Sequence, residues 1–223
     1  MDSAIPKRLI IPLLLCGALL AYGGAMSMRP FVIPTGAMED TLLVGDHLLV
    51  NTLTDKPDRA ARLLLPRTGI SRGDLVVIRP PSNPSQYFVK RVVGVPGDRI
   101  RITRKTLHVD DRPMSEPYKS NKTDYFDSYR DNFPSEPQLK IFDSALAMLA
   151  HHVRNGEVVV PTGHYFVMGD NRDSSLDSRY FGLVSRDGIQ GRPWLIYWSQ
   201  EPGGQTRWSR VVKPLRKQGP SAE

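Results

Sequence analysis

Leu9 to Met28 is an almost unbroken apolar run, LIIPLLLCGALLAYGGAMSM, with polar sequence on either side. About 20 such residues cross the hydrocarbon core of a bilayer as a helix, so residues 9–28 are predicted to form a transmembrane anchor. Lys7 and Arg8 close the short tail 1–8 that precedes it. The positive-inside rule places that tail in the cytoplasm and everything after Arg29 outside. Pro12 falls near the start of the span, where a helix tolerates it better than in its middle. The competing reading is a cleaved leader, with Ala25 in a small-residue stretch. The run exceeds a usual leader's apolar region, which favours a retained anchor.

Beyond Arg29 the pattern changes to short β-branched runs: TLLVGDHLLVNTL, GDLVVIRPP, YFVKRVVGVPGDRIRI, EVVVP, YFVMGDN, GRPWLIYWS and RWSRVVKPL. Gly-Asp, a double proline and Pro96-Gly97 punctuate them, so a mainly β fold of short strands is predicted. Residues 110–142 break the pattern, being rich in Asp, Ser, Pro, Asn and aromatics. A helix is predicted from Asp143 through Asn155. Asp143 or Ser144 would cap it, Ala145, Leu146, Leu149 and Val153 would form its apolar stripe, and Gly156 would end it. The expected organisation is therefore a core in two parts, 29–109 and 157–217, around an inserted subdomain at 110–156, with a disordered tail at 218–223.

Composition narrows the function classes. The 223 residues are 40% hydrophobic and 24% charged, ordinary values for a globular chain, while 19 prolines and 18 glycines fit a turn-rich β fold. The net charge of +7 is spread without the dense basic run of a nucleic-acid arm; it reads first as a solvated surface, with attraction to anionic lipid headgroups as the alternative. The single cysteine, Cys16, lies inside the apolar run, which excludes an intramolecular disulfide, a CxxC redox pair and a cysteine zinc site. Asp170, Asn171, Arg172, Asp173, Ser175, Asp177 and Arg179 form a dense polar run. Its spacing is similar to a calcium loop but lacks the turn glycine and the closing glutamate, so no metal site is predicted.

Four segments stand in order along the chain: IPTGAMEDTLLVGDHLLV, GDLVVIRPP, YFVKRVVGVPGDRI and MGDNRDSSLDSRYFG, followed by GRPWLIYWS and RWSR. The set resembles the boxes of the bacterial type I signal peptidases (leader peptidases), serine proteases that use a Ser/Lys dyad. With the anchor, it covers most of the chain outside the insert. The resemblance implies an antiparallel-sheet catalytic core with a smaller inserted subdomain, preceded by one N-terminal transmembrane helix. It implies an endopeptidase on the extracytoplasmic side of the bacterial plasma membrane, with a cytoplasmic N-terminus. Such an enzyme removes signal peptides from secretory preproteins after a small-x-small site such as Ala-x-Ala. The partners implied are preproteins and membrane lipid, not nucleic acid, and no cofactor or metal is implied.

The chemistry of the residues is consistent with this. A serine protease without a histidine base needs another, and a lysine buried among apolar neighbours loses its proton more readily. Lys90, in Tyr87-Phe88-Val89-Lys90, is the general base by resemblance. The resemblance also implies that Ser175 orients it and that the Thr35 hydroxyl assists an oxyanion hole together with the backbone N–H at the nucleophile position. Ile33, Pro34 and Val89 are expected to line shallow pockets that select small side chains. Gly169 and Asp170 shape the neighbouring turn, and Asp177 and Arg179 hold the local structure by ion pairing.

The nucleophile itself is missing. In the family the serine stands just before the box's methionine, and here Ala37 precedes Met38. A methyl group cannot attack a carbonyl, and loss of the nucleophile in another serine protease lowers turnover by about 10⁶. Thr35 is the nearest hydroxyl, but two residues along an extended chain displace it by roughly 6–7 Å, more than attack tolerates. Asp40 is a second departure, at a position where the family more often has proline; it is expected to change rigidity more than chemistry. Three origins of Ala37 stay open: a natural pseudoenzyme, a deliberate Ser-to-Ala trapping variant, and a sequence error. The functional alternatives are accordingly a signal peptidase and an inactive module that binds signal peptides. A Ser/Lys autoprotease of the repressor kind would need an N-terminal DNA-binding domain, where this chain has its apolar run.

Overall fold

The computed structural model describes residues 28–52, 69–215, 217–219 and 221–222. The predicted anchor lies outside these residues apart from Met28, which is not helical but opens the first strand. Among the described residues no helix is long and apolar enough to cross a membrane.

The strands, in chain order, are β1 (Met28–Val32), β2 (Asp46–Asn51), β3 (Leu75–Ile78), β4 (Phe88–Gly94), β5 (Arg99–Thr103), β6 (Thr106–Val109), β7 (Arg112–Ser115), β8 (Val153–Arg154), β9 (Glu157–Val159), β10 (His164–Met168), β11 (Val184–Ser185), β12 (Ile189–Ser199), β13 (Lys213–Pro214) and β14 (Ser221–Ala222). The helices are α1 (Asp143–His152) and the single turn α2 (Ser178–Phe181). One sheet runs β1-β2-β12-β3-β4-β10-β11 with β13 on β12, and the other runs β14-β7-β6-β5-β9-β8. The pairings between strands in both sheets are antiparallel.

Burial follows the sequence pattern. β2 (DHLLVN) alternates buried and half-buried, as a strand with one covered face should, while LVVI of β3 is buried throughout. β4 and β5, read together as YFVKRVVGVPGDRIRI, part company at Pro96-Gly97: β4 pairs with β3 and β10, and β5 pairs with β6 and β9. The second sheet thus draws in Arg99–Val109, which the sequence grouped with the first part of the core. The insert also shares a core with the first sheet, since Phe133, Ile141, Ala145 and Met148 pack with Val93, Phe166 and Met168.

Three expectations are corrected. The helix predicted to Asn155 ends at His152, because Asn155 and Gly156, at φ 52° and 77°, make the two-residue turn between β8 and β9. Positive φ at both positions is what a type I′ hairpin requires, and Arg104-Lys105 and Asp110-Asp111 do the same elsewhere in this sheet. At the other end of α1, Phe142 rather than Asp143 or Ser144 occupies the cap position. Ser144 Oγ donates instead to the Phe181 carbonyl at 2.7 Å, and Leu146 faces outward while Ala145 and Met148 are buried. Finally, described residues of the segment expected to be disordered make backbone contacts. The Gln218 carbonyl accepts from Arg91 Nη1 at 2.8 Å, and Ser221–Ala222 pair with β7.

Candidate active site

Thr35 is extended (φ −136°, ψ 157°) and leads into one turn of 3₁₀-helix, Gly36–Met38. The turn is anchored from below. Met38 and Leu42 are fully buried against Leu48, Val50 and Ile196, and burying a side chain of that size contributes about 1.5–3 kcal/mol. Their burial leaves Ala37 half-exposed above them, beside Lys90 from β4. Ile33, Pro34, Thr35, Ala37, Met38, Tyr87, Phe88, Val89 and Lys90 line one shallow cleft. The predicted pocket residues and the predicted base therefore share the cleft with the nucleophile position.

Lys90 is 3% exposed, and its Nζ donates to Ser175 Oγ at 3.1 Å. Burial is the main influence on the ammonium and brings its pKa down from 10.5 to about 8; Asp177 and Asp170 oppose the shift and Arg179 assists it. A lysine in this setting can give up its proton near neutral pH, as proton abstraction from a hydroxyl demands.

The polar run folds around this pair. Gly169 must be glycine, since a Cβ there would stand 2.2 Å from Ser175 Oγ and 2.5 Å from the Ala37 carbonyl oxygen. Its N–H donates to Asp177 Oδ2 at 3.2 Å. Asp177 caps α2 and accepts from Arg179 Nε at 2.9 Å and Nη2 at 2.8 Å. Burial pushes the Asp177 carboxyl upward, but the Arg179 charge and hydrogen bonds, helped by Lys90 and Ser175, hold it below the usual carboxylate range. Asp170 is fully buried and takes a bidentate grip from Arg91, at 2.8 Å from Nε and 2.6 Å from Nη2. Thr41 Oγ1, just past the nucleophile turn, donates to the same carboxylate at 2.6 Å.

Several positioning groups were not singled out from the sequence. Arg91 adjoins Lys90 and lies 3.9 Å over the Tyr118 ring. Glu116 accepts from Arg172 Nη1 at 2.8 Å and from Tyr118 Oη at 2.9 Å. Nothing local in the sequence links residue 116 to residue 172. Asp40 departs from expectation. Its φ of 78° is closed to proline, whose ring fixes φ near −65°, and its carboxylate accepts from Lys122 Nζ at 2.9 Å. The substitution therefore changes a contact between the turn and the insert as well as rigidity. Among the described residues no three His, Cys, Asp or Glu side chains converge as a metal site.

Comparison with known proteins gives the chain's relatives. The chain is 32% identical over 195 residues to signal peptidase I of Pseudomonas fluorescens, which covers 77% of this chain and 65% of that protein. It therefore spans slightly less than two thirds of that relative. It is 31% identical over 204 residues to signal peptidase I of Aquifex aeolicus, covering 77% of this chain and 76% of that protein. Against signal peptidase I U of Bacillus subtilis the identity is 30% over 207 residues, with 92% and 93% covered. Residues 7–198 match the family described as signal peptidase, peptidase S26. A buried lysine–serine pair, a cleft beside it and a match over most of its length place the chain in the signal peptidase family, peptidase S26.

Proposed function

We propose that this chain is a membrane-anchored signal peptidase scaffold that seats secretory preproteins in the Ala37–Lys90 cleft at a small-x-small site such as Ala-x-Ala. As written it holds them uncut, and a serine at position 37 makes it an endopeptidase. The observation that carries this reading is the buried Lys90 Nζ–Ser175 Oγ contact at 3.1 Å, in the wall of the cleft that Ala37 also lines. The run 9–28 is the anchor, with the catalytic domain on the extracytoplasmic side of the bacterial plasma membrane.

The chemistry proposed is acyl transfer with Lys90 as base. Donation of one N–H of neutral Lys90 to Ser175 leaves the nitrogen lone pair free to face residue 37. A hydroxyl at 37 gives its proton to that lone pair as its oxygen bonds to the scissile carbonyl carbon. The carbonyl oxygen becomes an oxyanion, held by the residue 37 N–H and the Thr35 hydroxyl. Collapse breaks the C–N bond, and the Lys90 ammonium returns the proton to the leaving amine. Water then repeats the cycle on the ester, releasing the acid. Ile33, Pro34 and Val89 leave room only for small side chains, while Gly169, Asp170, Asp177 and Arg179 keep Ser175 in register.

Ala37 itself favours the second reading, a natural binding module that sequesters signal peptides or regulates an active paralogue. The test is cleavage of a labelled precursor bearing an Ala-x-Ala site by the chain as written and by Ala37→Ser, each with and without Lys90→Ala. Cleavage by Ala37→Ser alone, lost with Lys90→Ala, supports the peptidase scaffold. Cleavage by the chain as written would mean another hydroxyl attacks.

A further inference from the structure

The nucleophile turn is gripped from across the molecule by one side chain. Asn171 donates through its backbone N–H to the Ala37 carbonyl at 3.1 Å, and through Nδ2 to the Gly36 carbonyl at 3.1 Å. It is 4% exposed. Its amide orientation is dictated by its surroundings: with nitrogen and oxygen exchanged, Oδ1 would face the Gly36 oxygen and Glu39 Oε2, the latter 3.4 Å from Nδ2. The residue is braced from behind by the insert, where Ser120 N–H donates to the Asp170 carbonyl at 2.8 Å and Arg172 N–H to the Ser120 carbonyl at 3.0 Å.

A trans peptide is planar, with its C=O and the following N–H pointing in opposite directions. The Gly36 carbonyl and the Ala37 N–H share one such plane, so a donor fixed on Gly36 O aims the Ala37 N–H. Glycine is also the residue whose adjoining peptide planes turn most freely, and a Cβ at Gly36 would find only Glu39 Oε2, at 3.7 Å, to confine it. Local structure supplies one donor to Gly36 O, the Glu39 N–H at 3.0 Å. Asn171 supplies a second, from 135 residues away.

We propose that Asn171 is the positioning residue for the oxyanion donor, holding the Gly36–Ala37 peptide so that the residue 37 N–H faces the cleft. This rests on the peptidase reading above. Asn171→Ala keeps the backbone bond to Ala37 and removes only the side-chain grip. Deleting an oxyanion-hole donor outright costs about 10²–10³ in kcat, so misaiming one in the full chain carrying Ala37→Ser should cost about 10–100-fold. KM should stay within about threefold, because the ground-state carbonyl gains little from that donor.

Affinity for a peptide aldehyde, whose adduct with the introduced hydroxyl places an oxygen anion in the hole, should fall by the same factor as kcat/KM. The pH midpoint set by Lys90 should not move. In the ¹⁵N-labelled chain as written, Asn171→Ala should shift the residue 37 amide cross-peak. If Ala37→Ser cuts and Asn171→Ala cuts equally fast, or loses KM and kcat together with unchanged relative aldehyde affinity, the inference falls and the peptidase reading stands. An unshifted residue 37 amide sinks it without reference to activity. If Ala37→Ser is inert although that amide shifts, the peptidase reading fails and takes the oxyanion role with it.

Discussion

Lys90 gives the sharpest quantitative expectation. Its pKa of about 8 lies roughly 2.5 units below the ordinary lysine value of 10.5, chiefly through burial. At pH 7 about one molecule in ten then carries a neutral Lys90, against about one in 3,000 for a solvated lysine, a gain of about 300-fold in available base. In Ala37→Ser, kcat/KM should rise about tenfold per pH unit and level off near pH 8. ¹⁵N NMR of Lys90 in the chain as written should show the same midpoint without any turnover. The shift also has a stability consequence. Between pH 8 and 10.5 the unfolded chain holds a proton on this lysine that the folded chain has lost, so stability rises with pH across that window. Below pH 8 the burial penalty is present in full, about 3 kcal/mol. Lys90→Met should therefore stabilise the fold by about 2 kcal/mol below pH 8, after losing about 1 kcal/mol with the Ser175 hydrogen bond, and its advantage should shrink by pH 10.5. A Lys90 that titrates near 10.5, or a rate profile that keeps climbing past pH 9.5, would refute the reasoning.

Asp170→Asn should destabilise the fold by about 3–5 kcal/mol in chemical denaturation, since it leaves the Arg91 guanidinium buried without its counter-charge; a loss under 1 kcal/mol would show that the Gly73 and Gln218 carbonyls suffice. Gly169→Ala places a methyl on Ser175 Oγ and the Ala37 carbonyl, so in the Ala37→Ser background it should lower kcat by at least about 10²-fold and move the Lys90 midpoint. An unmoved midpoint with full activity would show that the turn yields. Gly156→Ala and Gly45→Ala separate conformational cost from collision: both have positive φ, but only at Gly45 would the Cβ meet backbone, 2.0 Å from the Gln200 carbonyl. The first should cost about 1–2 kcal/mol in thermal melts and the second clearly more; equal costs would contradict that distinction.

Much of the fold was written in short-range pattern. LVVI of β3, the alternation in β2 and the break at Pro96-Gly97 could be read because a strand's burial is carried by its own residues. The end of α1 could not, since helical spacing continues through Val153 and the Asn155-Gly156 hairpin wins only when β9 is present to pair. Lys90 and Ser175 were legible through resemblance, and their contact bears out the spacing of nothing in the sequence: 85 residues separate them. Arg91 with Asp170, Glu116 with Arg172 and Asn171 with Gly36 were invisible for the same reason, each being a long-range charge or amide contact with no local signature. Trp208 is 73% exposed and packs edge-on against Trp198 at 5.8 Å.

The place of β12 in the first sheet carries a consequence for timing. It lies between β2, which follows the nucleophile turn, and β3, which leads to the lysine strand, yet it is made only at Ile189–Ser199. Within the sheet the two neighbours are joined through that late strand, and non-local pairing of this kind is slow to form. During synthesis the strands that carry the residue 37 turn and Lys90 would therefore not share a sheet until residues 189–199 had emerged. A ribosome-bound fragment stopped before residue 189 should contain both the residue 37 turn and the Lys90 strand and yet lack the strand that joins them, so that the cleft is completed only once Ile189–Ser199 has been made.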